Sequence, residues 1–160
     1  MFFIYFGVEI RTSMITTILI DLYGKELDKL KNEINAYESD ELIWKSVEGA
    51  QVTGGNLCLY IAGNLQHNIG AMIGDSGYIR NKEAELKAKN VSRERLMEEI
   101  ENTRQVVVDT LEQVSKSELL KVFPTKDFEE PVTTEYYLVH LLSNVGFNLG
   151  QIHMHRKVVS

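Results

Sequence analysis

Cysteine and proline are nearly missing from this sequence, and each scarcity excludes something. The one cysteine, Cys58, cannot form a disulfide within a single chain, so the cytoplasm is the default location. It sits in an apolar stretch with nothing nearby to acidify a thiol, and it reads as a small buried hydrophobe. The two prolines, Pro124 and Pro131, share one stretch and leave the rest of the chain free of helix breakers. No run approaches the roughly 20 apolar residues of a membrane-spanning helix. The apolar opening Met1–Phe6 lacks a basic flank and is soon interrupted by Glu9 and Arg11, unlike a secretory signal. Clustered basic charge is also lacking. Arg93, Arg95 and Arg104 alternate with Glu94, Glu98, Glu99 and Glu101, and the net charge of −6 argues against nucleic acid as a partner.

What remains is an ordinary globular composition: 160 residues, 44% hydrophobic and 25% charged, enough for one domain with its own core. Helical periodicity fills the long proline-free segments. From Met14 to Tyr37, Ile15, Ile18, Leu19, Leu22, Leu27, Leu30 and Ile34 form one stripe. From Ser92, an N-cap candidate, to Ser115 the stripe is Leu96, Ile100, Thr103, Val107, Leu111 and Val114. The expected fold is an all-α four-helix bundle without sheet, with helices near 14–37, 55–74, 92–115 and 133–158. The domain covers 14–160, and residues 1–13 are expected to be an N-terminal extension ahead of Met14, itself a candidate start. The connections 38–53, 75–91 and 116–132 are long enough to cross over the helices. Trp44 and Phe123 are expected to close the ends.

The second and fourth helices lack something that surface helices carry. Gly54 to Gly74 and Tyr136 to Ile152 contain no Asp, Glu, Lys or Arg. Both helices are therefore expected to be covered on more than one side, by the rest of the chain and by a second subunit. A homodimer on their outer faces follows, with Ala62 and Ile69 as trial interface positions. Gly63, Gly70, Gly146 and Gly150 would permit close helix approach. On a helical wheel His140, Asn144, Asn148, Gln151 and His155 fall within about 80° of one another. Tyr60, Asn64, His67 and Asn68 cluster likewise on the second helix. Uncharged amides and imidazoles in stripes are expected to be half-buried and paired. Facing each other they would form a polar slot, either a small-molecule pocket or a set of inter-helix hydrogen-bond ladders.

The segments GNLCLYIAGNLQHNIGAMIGDSGYIRNKEAEL (55–86) and HLLSNVGFNLGQIHMHRK (140–157) carry a resemblance. With Gly63-Asn64-Leu65 and Gly150-Gln151-Ile152 in this order and separation, the chain from Met14 resembles the DinB/YfiT-like superfamily of bacterial four-helix bundles. The resemblance implies long crossover connections, often a homodimer, and a divalent metal held by three histidines, one from helix two and an H-x-x-x-H pair from helix four. The matching positions here are Tyr60, Asn144 and Asn148. A phenol ionises only near pH 10 and an amide oxygen is a weak neutral donor, so this set would hold zinc or nickel poorly. The metal site is expected to be vestigial and the protein metal-free, with Asn64, His67, His140 and Gln151 lining a pocket. The resemblance also implies an alternative, a metal-dependent enzyme of thiol S-transferase or hydrolase type with relocated ligands, for which His67 and His140 are the candidates. His153 and His155 lie about 200° apart on a regular helix and cannot chelate one ion. Tyr78, Arg80 and Glu85 match a loop of the family, where Arg80 is read as a local salt-bridge partner.

Overall fold

The computed structural model describes Ile4–Tyr5, Val8–Glu9 and residues 15–160. The two short N-terminal segments pair antiparallel as β1 (Ile4–Tyr5) and β2 (Val8–Glu9). The remainder of the expected extension lies outside the described residues. From residue 15 onward the chain is helical: α1 (Ile15–Asn35), α2 (Asp40–Ile43), α3 (Gly54–Leu65) running into a π-helical turn (Gln66–Ala71), α4 (Lys82–Lys87), α5 (Arg93–Gln113), α6 (Lys116–Leu119) and α7 (Thr134–Val159). An isolated bridge joins Val122 to Thr133. Among the described residues no helix is long and apolar enough to cross a membrane.

The helix starts are chemically marked. Thr53 and Asn56 form a capping box at α3, and the hydroxyls of Ser92 and Thr133 accept from Arg95 N and Tyr136 N at α5 and α7. Each such cap satisfies an otherwise orphaned amide.

Four long elements share one core, and their cross-links reveal direction. Tyr23 Oη donates to the Leu138 carbonyl at 2.6 Å and Tyr37 Oη to that of Ile152 at 3.4 Å, so α1 and α7 run parallel. Gln66 Nε2 reaches Glu99 at 2.7 Å and Gly74 lies against Thr110, so α3 and α5 also run parallel. Arg93 Nη1 donates to Asn35 O and Arg104 Nη1 to Gly24 O, which makes α1 antiparallel to α5. Gly54 meets His155 while Asn68 meets Tyr137, which makes α3 antiparallel to α7. Parallel neighbours cannot be joined by a short turn, so residues 72–92 return along the length of the α3–α5 pair.

The core stripe of α5 is as the periodicity predicts: Leu96, Ile100, Thr103, Val107, Leu111 and Val114 are all buried. In α1 the stripe is rotated slightly from expectation. Tyr23 is fully buried, whereas Leu22 and Ile18 are 39% and 45% exposed. Tyr23 can enter the core because its hydroxyl finds the Leu138 carbonyl, so no polar atom is stranded. Phe123 is buried and stacked on Tyr137 with ring centroids 4.0 Å apart, and Trp44 lies over Gly55 with its indole N–H on Val91 O at 3.0 Å. Cys58 is fully buried, and burial pushes its thiol up to about 12, which leaves it a hydrophobe at neutral pH.

The two charge-free helices have different covers. Ala62 and Ile69, expected at an outer face, are 1% and 0% exposed and belong to the core. The outer side of α3 is covered by the chain itself, through the 76–88 segment. Asn56 Nδ2 donates to Glu85 O and Ala88 O, and a Cβ at Gly63 would collide with the Glu85 carboxylate. Gly70 is likewise filled by Val106 and Ser76. Among the described residues the outer side of α7 has no such cover: Val139, Phe147, Met154 and Val158 are at least half exposed.

These burials predict unequal costs within one helix. Leu30→Ala should cost about 2–5 kcal/mol, the range for a buried leucine, while Ile18→Ala should cost under about 1 kcal/mol. Urea denaturation of both variants checks the rotation assigned to α1, and equal losses would contradict it.

Candidate functional site

The antiparallel packing of α3 on α7 brings together Tyr60, Asn144 and Asn148, the three positions singled out in the sequence as expected metal-ligand places. Tyr60, Asn144 and Asn148 line one pocket of about 330 Å³ with Leu57, Phe147 and Gln151. Its polar atoms are largely spent on one another. Asn144 Nδ2 donates to His140 Nε2 at 3.1 Å, Asn148 Nδ2 to the Asn144 carbonyl at 2.8 Å, and Gln151 Nε2 to Asn148 Oδ1 at 3.3 Å. The His140 ring also packs edge-on against Phe128, 4.9 Å between centroids.

The residues present do not fit a three-histidine metal centre. One phenol and two primary amides supply no anionic or imidazole donor, and the Asn148 amide is held back against its own helix. Among the described residues no group of three His, Cys, Asp or Glu side chains converges as a metal site would require.

The second polar cluster faces a separate pocket of about 340 Å³, in which Asn64, His67 and Asn68 meet Arg80, Phe123 and Tyr137. Tyr60 borders both pockets, so the single slot expected between the stripes is divided in two. The division comes from the connections. Residues 123–127 and Arg80, neither on a long helix, wall off the Asn64–Asn68 end. His155 leaves the slot altogether. It is buried at the far end of α7, between Tyr37 Oη (2.7 Å from Nδ1) and the Lys45 carbonyl (2.9 Å from Nε2).

Arg80 organises the second pocket. Its Nε and Nη2 bind the two oxygens of Glu85 at 3.0 and 2.9 Å, while Nη1 donates to Asn64 Oδ1 at 2.8 Å and Nη2 to Tyr60 O at 3.3 Å. The guanidinium lies over the Tyr60 ring at 4.7 Å, and Lys82 Nζ stands 5.4 Å from the same ring. Asn64 Oδ1 also accepts from Asn68 Nδ2 at 2.9 Å, and Tyr137 Oη lies 3.3 Å from Asn68 Oδ1 and 3.0 Å from Asp127 Oδ2. A polar chain thus runs from Arg80 to Asp127 across the pocket floor. Burial, then the bond to Asp127, pushes the Tyr137 phenol up to about 12, so it stays a donor at neutral pH. Among the described residues His67 Nδ1 is buried with no hydrogen-bond partner. His67 and Asn68 lie in the π-helical turn, where Met72 N donates to His67 O at 2.9 Å. Such turns are frequent at functional sites.

Sequence reasoning assembled Tyr60, Asn144, Asn148 and Gln151 but missed Lys82, Asp127 and Tyr137. Their pocket is built by the connecting segments, whose paths no periodicity encodes. One signal was available: Gly63, inside a helix, requires a close neighbour, and that neighbour is the Glu85 side chain rather than a helix.

No protein-family model matches the chain, and no curated protein matches it. Its structure is similar to the crystal structure of a conserved protein from Enterococcus faecalis, with a TM-score of 0.72 at 14% identity over 92% of this chain and 98% of that one. At that identity the likeness concerns the fold.

The Arg80–Glu85 pair makes a definite prediction for stability. Arg80→Met should cost about 3–5 kcal/mol, because it strands a buried carboxylate, whereas Arg80→Met with Glu85→Leu should recover most of the loss. Chemical denaturation of the single and double variants measures this, and an additive double loss would contradict it.

Proposed function

We propose that this chain is a DinB/YfiT-like four-helix bundle with long crossover connections, in which the metal centre has become a neutral polar pocket. It acts as a small-molecule binding or interaction module, without zinc or nickel, and as a homodimer. The observation that carries this reading is the convergence of Tyr60, Asn144 and Asn148 on one pocket with hydrogen-bonding groups and no metal-binding ones. Such groups suit an uncharged ligand bearing hydroxyl or amide functions, because each can donate and accept. The homodimer is supported by the exposed, uncharged side of α7. The cytoplasm suits a chain whose one cysteine is buried and inert.

A metal-dependent enzyme of thiol S-transferase or hydrolase type is the competing reading. One observation favours it: His67 Nδ1, buried without a partner, is a free donor atom next to a polar pocket. Against it, His140 Nε2 is engaged by Asn144, and no carboxylate shares the first pocket.

Metal analysis of the purified protein separates the two. The metal-free reading expects no stoichiometric zinc or nickel and no rise in melting temperature when either is added. Tyr60→His, Asn144→His and Asn148→His combined should create a three-imidazole site that zinc or nickel stabilises by mass action. Tight metal in the wild type would overturn the reading and direct mutagenesis to His67 and His140. A folded triple variant that ignores metal would show that these positions do not form the ancestral site.

A further inference from the structure

Gly146 and Gly150 lie in the interior of α7, where glycine is less stable than alanine. For the other helical glycines at close approaches the reason is internal: Gly55 faces Trp44, Gly63 faces Glu85 and Gly70 faces Val106. Among the described residues an added Cβ at Gly146 or Gly150 would meet nothing within 4 Å. No neighbour among them accounts for the smallness of these two positions.

They lie in the middle of a continuous exposed face. Val139, Ser143, Gly146, Gly150 and Met154 follow one another at helical spacing, all exposed, with Tyr136 and Phe147 beside them. Tyr136 is 56%, Val139 50%, Phe147 72% and Met154 60% exposed. This face carries no charge between its ends, and the ends have opposite signs: Glu135 in the first turn and Lys157 in the last. Both lie eleven positions from Gly146 in the sequence, and among the described residues neither forms an ion pair.

We infer that a second copy of this chain docks α7 against α7, antiparallel, with the two-fold axis near Gly146. Antiparallel pairing sets Glu135 against the partner's Lys157 at one end and repeats the same pair at the other, about 33 Å away. Val139 then lies near the partner's Met154, and the glycines let the two backbones approach at the crossing. A parallel pairing would instead oppose like charges at both ends. Phe147 belongs both to this face and to the Tyr60–Asn144–Asn148 pocket, so the partner's helix stands at the mouth of that pocket and forms its outer wall. The inference rests on the homodimer reading and specifies its surface and register.

The test uses the full chain, with sedimentation equilibrium for assembly and circular dichroism for folding. Phe147→Asp and Gly150→Leu should each raise the dimer dissociation constant at least about 10-fold, the usual consequence of disrupting a packed interface centre. Helicity should be unchanged, because both positions face outward. Glu135→Lys and Lys157→Glu should each weaken the dimer several-fold, and combining them should restore it to within about 3-fold of wild type. A wild-type monomer at tens of micromolar overturns both the homodimer reading and this interface. A dimer insensitive to Phe147→Asp and Gly150→Leu leaves the homodimer standing and overturns the α7 face. Weakening by both charge reversals without rescue in the double variant overturns the antiparallel register.

Discussion

Glu85 is a carboxylate held against the backbone of α3, and much of the surrounding structure answers the cost of placing it there. Gly63 must lack a side chain to leave it room. Arg80 must neutralise it with two hydrogen bonds in fork geometry, and that guanidinium then has donors left for Asn64 and the Tyr60 carbonyl. Asn56 in turn holds the carbonyls of Glu85 and Ala88. A long connection with little apolar content of its own is thereby fixed along α3 by polar contacts. The same contacts set the position of Tyr60, the residue shared by both pockets.

This explains why absence of charge had two meanings in one sequence. On α3 it reflects a helix covered by its own connection, where a lysine or glutamate would have to be buried. On α7 it accompanies an open face. Composition alone does not separate the cases, since both helices carry the same Asn, Gln, His and Gly mixture. The glycines do separate them once neighbours are known: among the described residues Gly63 is filled by the Glu85 side chain and Gly150 by nothing.

Helix positions and the buried stripe of α5 were legible because a 3.6-residue period writes core contacts directly into the sequence. The α1 stripe was legible except at Tyr23, where an aromatic with a polar tip displaced Leu22 through a hydrogen bond to a residue 115 positions away. The first pocket was legible because its residues sit on two regular helices at turn spacing. The second was not, because Asp127 and Arg80 arrive on irregular segments. His155 shows the limit of wheel geometry: it shares an angle with Asn144 and Asn148, yet α7 is long enough to carry it past the slot to Tyr37 and Lys45.

The π-helical turn Gln66–Ala71 acts as a phase shifter in an otherwise continuous rod. Its wider turn holds about one residue more than an α-helical turn, so closing it to regular α-helix with the same residues would rotate everything before it by about 100°. Tyr60 could not then face Asn144 and Asn148 while Asn68 still met Tyr137. The register of residues 66–71 is therefore as constrained as that of the 36–53 connection, which Tyr37, Ile43 and Trp44 anchor in the core.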